Sequence, residues 1–504
     1  MLVMGLGDSD AYQRALAHVR AIDFTQTAEG DDAPGNISVF ELTIRYIGGM
    51  LSAYQMNGEK AEEKFLVDQV VVLANRLSKA WYKGNRLPFN RFNLNLSTPV
   101  DTTDSVGIAE AGSLILEWGE LSAYTGNNTY LNLTEGAMDA IIASPVTFPG
   151  IFAQSLDAYN ESTSGAPYYT WGGGSDSFWE YLIKWGQLRG LDRSSSFVAT
   201  WDAAINSSIA HLVQKTGVAN LTLLSDYEPV NGSVYVSSHL ASFAGGNWAL
   251  GGALLNKPEY IQVGLEMAES YWRTYNGTAT GIGPESFGYF DAAGNAKGWT
   301  YVSPGRREFY NEHGYFLGSP GYIQRPETVE SLFYGWRLTG QQLFRDMAWD
   351  AFLHMKEYLD SGTGWVGLVN VNDVSSQSYD EAQTFMFAEL FKYLYLIFDD
   401  PGHISLDDYV FTTEAHPFKI AAPNADFGKV QNFWPYEPLS GQASNLGNTV
   451  EPDAGVPSLD SLGSLVTLTQ GLQVAASAFA QQVQMPVSVA RNMFSGLSRA
   501  PAVK

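Results

Sequence analysis

Apolar positions recur every three or four residues along most of the chain. In VFELTIRYIGGMLSAYQMNG, Phe40, Ile44, Ile47 and Leu51 fall on one face, the spacing of an amphipathic helix. The same period carries EAGSLILEWGELSAYTG to Gly126, DSFWEYLIKWGQLRG to Gly190 and PETVESLFYGWRLTG to Gly340. Each ends on the glycine that suits a helix C-terminus. AQTFMFAELFKYLYLIFDDPG is apolar nearly all round, which predicts a buried helix. Strand-like alternation is confined to short pieces such as GSVYVSS and VSVARN, which predict hairpins between helices. Two helical segments end alike, in Ala-Tyr-Thr-Gly at 123–126 and Arg-Leu-Thr-Gly at 337–340. Repeated helix–loop units predict an all-α toroid or solenoid.

After Phe418 the pattern changes. Residues 419–504 are rich in Pro, Gly, Ser and Asn and read as linker followed by a disordered tail. Within them, LVTLTQGLQVAASAFAQQVQ has the spacing of a weak amphipathic helix. The expected division is therefore a catalytic helical domain over 1–418 and a tail over 419–504.

Composition narrows the functional classes. Hydrophobic residues make up 45% of the 504, enough for a large core. A formal charge of −24 repels nucleic acid and anionic membrane surfaces, and no window holds the roughly 18 uninterrupted apolar residues of a membrane span. Cysteine is absent, so there is no disulfide, no thiolate nucleophile and no Cys-based zinc site. Yet N-x-S/T acceptors stand at Asn36, Asn95, Asn127, Asn132, Asn160, Asn206, Asn220, Asn231 and Asn276. Chance supplies about one per 150–200 residues, so this density predicts passage through the secretory pathway. The opening MLVMGLGDSDAYQRALAHV lacks the basic and apolar regions of a signal peptide, and reads as a mature, truncated or mis-started form.

The candidate chemistry is carboxylate chemistry. Glu41 and Arg45 are four apart on one helix face: an ion pair, set in an apolar stretch. In GGGSDSFWEYL, Ser177 and Glu180 have capping-box spacing, which leaves Asp176 at the mouth of a helix after three glycines. In YIQRPETVES, Pro326 suits the first helical position and puts Glu327 in the first turn, where free N–H groups favour negative charge. That field serves a cap and a general base equally well. Glu285 follows another proline, and Glu389 sits among aromatic and aliphatic residues in FMFAELF. VFTTEAHPF offers Thr412, Thr413 and Glu414, oxygen donors of the kind a hard cation takes. No H-E-x-x-H, phosphate loop or G-x-S-x-G elbow competes. Paired acids on a helical scaffold point to glycoside hydrolysis.

VFELTIRYIGGMLSAY, GGGSDSFWEYLIK, SHLASFAGGNWALGG, GIGPESF, YIQRPETVESLFYGWRLTG, FAELFKYLYLIFDD and VFTTEAHPF occur in the order seen in class I α-1,2-mannosidases, glycoside hydrolase family 47. The resemblance runs to about Phe418, and TIRYIGGM is most similar to the fungal secreted branch. It implies an (αα)7 barrel, Ca²⁺ dependence, a monomer, and inverting removal of terminal α-1,2-linked mannose from high-mannose N-glycans. It makes Glu41, Asp176 and Glu327 the catalytic carboxylates, with Glu327 the base, Glu41 the preferred acid and Asp176 its rival. It also places Arg45, His239, Glu285, Arg325, Glu330, Phe385, Glu389 and Glu414 around the sugar, and Thr413 on Ca²⁺. A catalytically weak glycan-binding protein of the same fold, similar to the degradation-enhancing mannosidase-like proteins, is the alternative. Three departures stand out: no cysteine for the family's disulfide, Ser238 where relatives carry Asp before the histidine, and an opening that resembles the end of the family's first helix.

Overall fold

The computed structural model describes residues 9–27, 35–100, 105–191, 195–420 and 433–439. Its frame is a succession of helices: α1 (Ser9–Ala21), α2 (Gly48–Met56), α3 (Phe65–Leu77), α4 (Ile115–Thr125), α5 (Thr129–Ile142), α6 (Asp176–Leu188), α7 (Ser196–His211), α8 (Phe243–Leu255), α9 (Pro258–Asn276), α10 (Glu327–Thr339), α11 (Gln342–Leu359) and α12 (Phe391–Phe398). Burial sorts them into two layers. In α6 every residue after Asp176 is buried, and in α8 every residue from Phe243 to Leu254. α3, α5 and α11 bury one stripe and leave the rest to solvent. A helix apolar all round must be covered all round, so α2, α4, α6, α8, α10 and α12 form the inner layer and their partners the outer one. The result is the expected all-α toroid of helix hairpins.

The closest helix contact is α8 on α9. A Cβ on Gly245 would stand 2.9 Å from the backbone of Gly264 and Ala268, so these two helices meet main chain to main chain. Helix ends also follow the sequence. Gly126 and Gly340 adopt φ of 68° and 63°, and in both cases the preceding threonine bonds the carbonyl four residues back, Thr125 to Leu121 and Thr339 to Gly335, each at 2.7 Å. The repeated Thr-Gly signature is thus one repeated helix stop.

Short strands line one end of the ring: β1 (Asn36–Ser38), β2 (Arg91–Asn93), β3 (Val236–Ser238), β4 (Ser286–Gly288), β5 (Phe316–Ser319), β6 (Tyr409–Phe411) and β7 (Pro417–Lys419). β3, β4 and β5 make an antiparallel sheet, and β6–β7 a hairpin whose turn carries Thr413 and Glu414. β7 leans on α2, where Ser52 Oγ donates to Pro417 O at 2.9 Å, and so spans the gap between the first and last inner helices. GSVYVSS forms strands as expected, whereas VSVARN and the weak helix in LVTLTQGLQVAASAFAQQVQ lie outside the described residues.

Most of the expected tail also lies outside them, but 433–439 is described and is docked. Trp434 N donates to Leu338 O at 2.8 Å, and the buried Tyr436 ring packs on Phe344. Tyr436 Oη and Leu439 N both donate to Glu269 Oε2 at 3.0 Å, and Arg273 holds the other oxygen at 2.7 Å. This strap closes over the junction of α9, α10 and α11. Tyr436→Phe should cost about 1 kcal/mol by losing one hydrogen bond. Tyr436→Ala should cost about 3 kcal/mol by emptying the ring's site. Thermal unfolding of both variants checks the order.

Candidate active site

A cleft of about 1260 Å³ opens at the centre of the ring, lined by eight acidic side chains against three arginines. Ten of the expected site residues line it: Glu41, Arg45, Asp176, Arg325, Glu327, Glu330, Phe385, Glu389, Thr413 and Glu414. His239 and Glu285 stand directly behind and hold the lining residues. Such an acidic wall excludes anionic ligands and suits a polyhydroxyl ligand together with a cation.

Two π-helical turns shape the wall. Thr43–Ile47 follows the short helix Val39–Leu42, and Met386–Leu390 precedes α12. Each widens the helix by one residue and turns a side chain toward the cleft. On the first, Arg45 Nε meets Glu41 Oε2 at 2.7 Å and Glu414 Oε1 at 3.4 Å, while its Nη1 donates to Thr384 Oγ1 at 2.7 Å. The second carries Glu389. This stretch was expected to be buried all round, but Phe387 is 58% exposed because the segment forms the cleft's lip rather than core.

Glu327 is the first residue of α10, and Pro326, expected at the first helical position, stands instead at the N-cap without a side-chain bond. Its Oε2 lies 2.6 Å from His239 Nδ1, and the other ring nitrogen meets Tyr275 Oη at 2.5 Å. Arg325 stands 4.0 Å from Oε1 and is itself gripped by Glu285, Nε to Oε2, at 2.5 Å. Burial pushes the Glu327 carboxyl up, but the hydrogen bond and charge of His239, with the charge of Arg325, outweigh it. The net effect holds Glu327 below the ordinary carboxylate value, so it stays ionised.

Asp176 takes the opposite course. It begins α6, and its Oδ1 accepts from Ser177 N at 2.8 Å. Burial, with the negative charges of Glu327 and Glu180, raises it to about 7 against the pull of that hydrogen bond and of Arg325. The expected capping box does not form. Glu180 is drawn away to Lys184, and Ser177 pairs instead with Ser113 at 2.8 Å, so a buried ion pair overrides the local motif.

Behind these lies a charge relay that the sequence reading missed. Lys184, 1% exposed at its side chain, bonds Glu180 and stands 3.8 Å from Glu330. Glu330 accepts from Tyr393 Oη at 3.2 Å, and burial, with Glu180 and Glu327 nearby, pushes it to about 8 despite Lys184. The E-x-x-x-K spacing of Glu180 and Lys184 was the available signal.

The floor is the turn between β6 and β7. Thr413 N donates to Tyr181 Oη at 3.2 Å, and Tyr181 donates to the buried Glu117 at 2.7 Å. Lys392 Nζ donates to Ala415 O at 2.6 Å and fixes the turn from behind. Burial lifts Glu389 well above the carboxylate range, reinforced by Glu414 and Glu327, and lifts Glu414 to about 7 despite Arg45. Among the described residues no three acidic or histidine side chains converge to enclose a metal by themselves. Ser238 does not line the cleft; its Oγ accepts from Ala241 N at 3.3 Å and caps the turn that presents His239.

The rim holds a further constraint. Asn36 is 8% exposed and its Oδ1 accepts from Asn93 Nδ2 at 2.8 Å. Ser38 Oγ donates to Asn90 Oδ1 at 2.9 Å and accepts from Glu41 N at 3.1 Å, capping the helix that carries Glu41. The other eight N-x-S/T asparagines are exposed.

A lowered glutamate and a raised aspartate in one acidic cleft, at the hub of a helical toroid, have the paired-acid arrangement that glycoside hydrolysis uses. Residues 1–420 match the family model described as Glycosyl hydrolase family 47. The mannosyl-oligosaccharide alpha-1,2-mannosidase 1B of Aspergillus oryzae is 36% identical over 437 residues, covering 83% of this chain and 82% of the relative. The mannosyl-oligosaccharide alpha-1,2-mannosidase of Coccidioides posadasii is 35% identical over 433 residues. The solved alpha-1,2-mannosidase from Trichoderma reesei superposes with a TM-score of 0.76 at 34% identity, covering 83% of this chain and 90% of that one. The chain belongs to glycosyl hydrolase family 47 and shares its (αα)7 fold.

Lys184→Met should destabilise the fold by about 3–5 kcal/mol, because it leaves Glu180 and Glu330 buried without their cation. Adding Glu180→Gln should recover part of that loss, read as thermal unfolding of the single and double variants.

Proposed function

We propose that the chain removes terminal α-1,2-linked mannose from high-mannose N-glycans by a single displacement with inversion. The observation that carries this reading is that Asp176 and Glu327 line one cleft in opposite surroundings, Glu327 held by His239 at 2.6 Å and Arg325 at 4.0 Å, and Asp176 buried against the negative charges of Glu327 and Glu180. Inversion needs an acid on the leaving oxygen and a base on the water attacking from the other face. Glu327, ionised and oriented by His239 and Arg325, takes the proton of that water. Asp176, which keeps its proton up to about 7, gives it to the glycosidic oxygen. Glu41 was the preferred acid on sequence grounds, but it is 43% exposed and spends an oxygen on Arg45. Its proposed role is to hold Arg45 beside Phe385, whose ring lies 5.9 Å from the guanidinium. Glu285 steadies Arg325, while Glu330, Glu389 and Glu414 offer acceptors to sugar hydroxyls.

The donor set fits Ca²⁺. Thr413 offers a hydroxyl and a carbonyl, and the raised carboxyls of Glu330, Glu389 and Glu414 report a local shortage of positive charge that a hard cation relieves. Bound there, Ca²⁺ supplies an electrostatic anchor for sugar hydroxyls. Thr413 would hold it, and Tyr181 and Lys392 would keep the turn in place. The many exposed acceptor asparagines support passage through the secretory pathway, and the division of the chain at residue 418 remains part of the proposal.

A Man9 glycan incubated with the protein should lose mannose, and EDTA should stop the release. Binding without release would overturn the hydrolase reading. Glu327→Gln should lower kcat by at least about 10³-fold, in line with loss of an essential base. Wild-type activity should fall as pH rises through about 7, where Asp176 gives up its proton, and fall again in acid below the ordinary carboxylate value, where Glu327 gains one. Asp176→Asn should remove the alkaline limb from whatever activity remains.

A further inference from the structure

Gln324 is fully buried, yet it sits one residue before Arg325 at φ 68°, a conformation that costs a non-glycine residue about 1 kcal/mol or more. All of its amide is engaged. Nε2 donates to Glu381 O at 2.8 Å and to Trp365 O at 3.3 Å, and Oε1 accepts from Gln383 N at 2.7 Å. Three backbone groups on two neighbouring stretches, Trp365 on one and Glu381 with Gln383 on the other, are thus caught by one side chain. The segment 381–385 has Glu381, Ala382 and Thr384 exposed and Gln383 and Phe385 half-buried. It leads directly to Thr384, which accepts from Arg45 Nη1, and to Phe385, over which Arg45 lies. On the other side, Ile323 N donates to Glu285 Oε1 at 3.2 Å, and Tyr322 Oη donates to Arg325 O at 3.0 Å. The stretch 322–325 is therefore fixed to the groups that orient Glu327.

We propose that Gln324 is a positioning residue: it ties the Thr384–Phe385 lip of the cleft to the turn that carries Glu327, and so sets how tightly the terminal sugar is gripped. The inference rests on the mannosidase reading of the same cleft. A side chain that merely filled space would not need three polar partners, and an apolar residue at a buried site would avoid their desolvation. The strained backbone is accounted for in the same way. The αL turn aims the amide across the cleft wall, where a regular extended residue would send it elsewhere.

Gln324→Met keeps the volume and removes the three bonds. We expect KM for an α-1,2-linked mannobiose to rise about tenfold with kcat changed less than about twofold. We also expect faster hydrogen–deuterium exchange in the peptide spanning 381–385. Gln324→Glu keeps the acceptor for Gln383 N–H but weakens the donors, and should fall between. With Phe385→Leu already in place, Gln324→Met should raise KM little further. A lower melting temperature with unchanged KM and unchanged exchange at 381–385 would overturn the proposal, as would full additivity with Phe385→Leu. If Gln324→Met does not fold, Gln383→Pro removes one of the same bonds from the exposed side, and unchanged KM and exchange there count equally against it. Absence of mannose release by the wild-type protein would sink the mannosidase reading, while the exchange measurement would still decide the positioning role.

Discussion

Buried carboxylates that repel one another set the terms for the centre of this molecule. Glu180, Glu327, Glu330, Glu389 and Glu414 share a largely buried wall, and the negative charges among them oppose the ionisation of Glu330, Glu389 and Glu414. Lys184 and Arg45 offset part of that repulsion, and His239 with Arg325 offset it selectively at Glu327. Selectivity is the point. A uniform supply of cations would favour ionisation of every acid alike, whereas uneven pairing raises Asp176 to about 7 and holds Glu327 below the ordinary carboxylate value. The toroid serves this arrangement by bringing α6, α8 and α10, together with the π-helical turns and the β6–β7 turn, to one cleft.

Much of the scaffold was readable from the chain. The three-and-four spacing gave the helices, and the Thr-Gly stops gave several of their ends, because both depend on local geometry. Glu327 was placed in a first turn for the same reason. The failures have a common cause. Ser177 was expected to cap α6, but Glu180 found a better partner in Lys184 across a buried contact that no local motif encodes. The π-helical turns under Arg45 and Glu389 were likewise invisible, since no local residue signature marks where a single extra residue enters a helix. The proposed exchange of Glu41 for Asp176 as the acid rests on what surrounds the two carboxyls in space, which neither local motif encodes.

The same contrast explains why the strap at 433–439 escaped notice. The stretch around it has the composition of a linker, yet the strap itself reads Phe-Trp-Pro-Tyr-Glu-Pro-Leu, in which Trp434 and Tyr436 are aromatic anchors and Glu269 supplies a buried acceptor. A short segment of seven residues needs few contacts to be held when the surface it meets is already ordered.

Asn36 and Ser38 carry a consequence for the birth of the protein. In a compartment that glycosylates nascent chains, this tripeptide is offered to the transferase before β1 has met β2. Once folded, its amide belongs to Asn93 and its hydroxyl to the helix of Glu41. A sugar tree attached there would prevent the pairing and stand in the doorway through which sugar trees must enter. In such a compartment, folding and modification would compete for the same three residues, and the burial of Asn36 would favour the molecules that fold first.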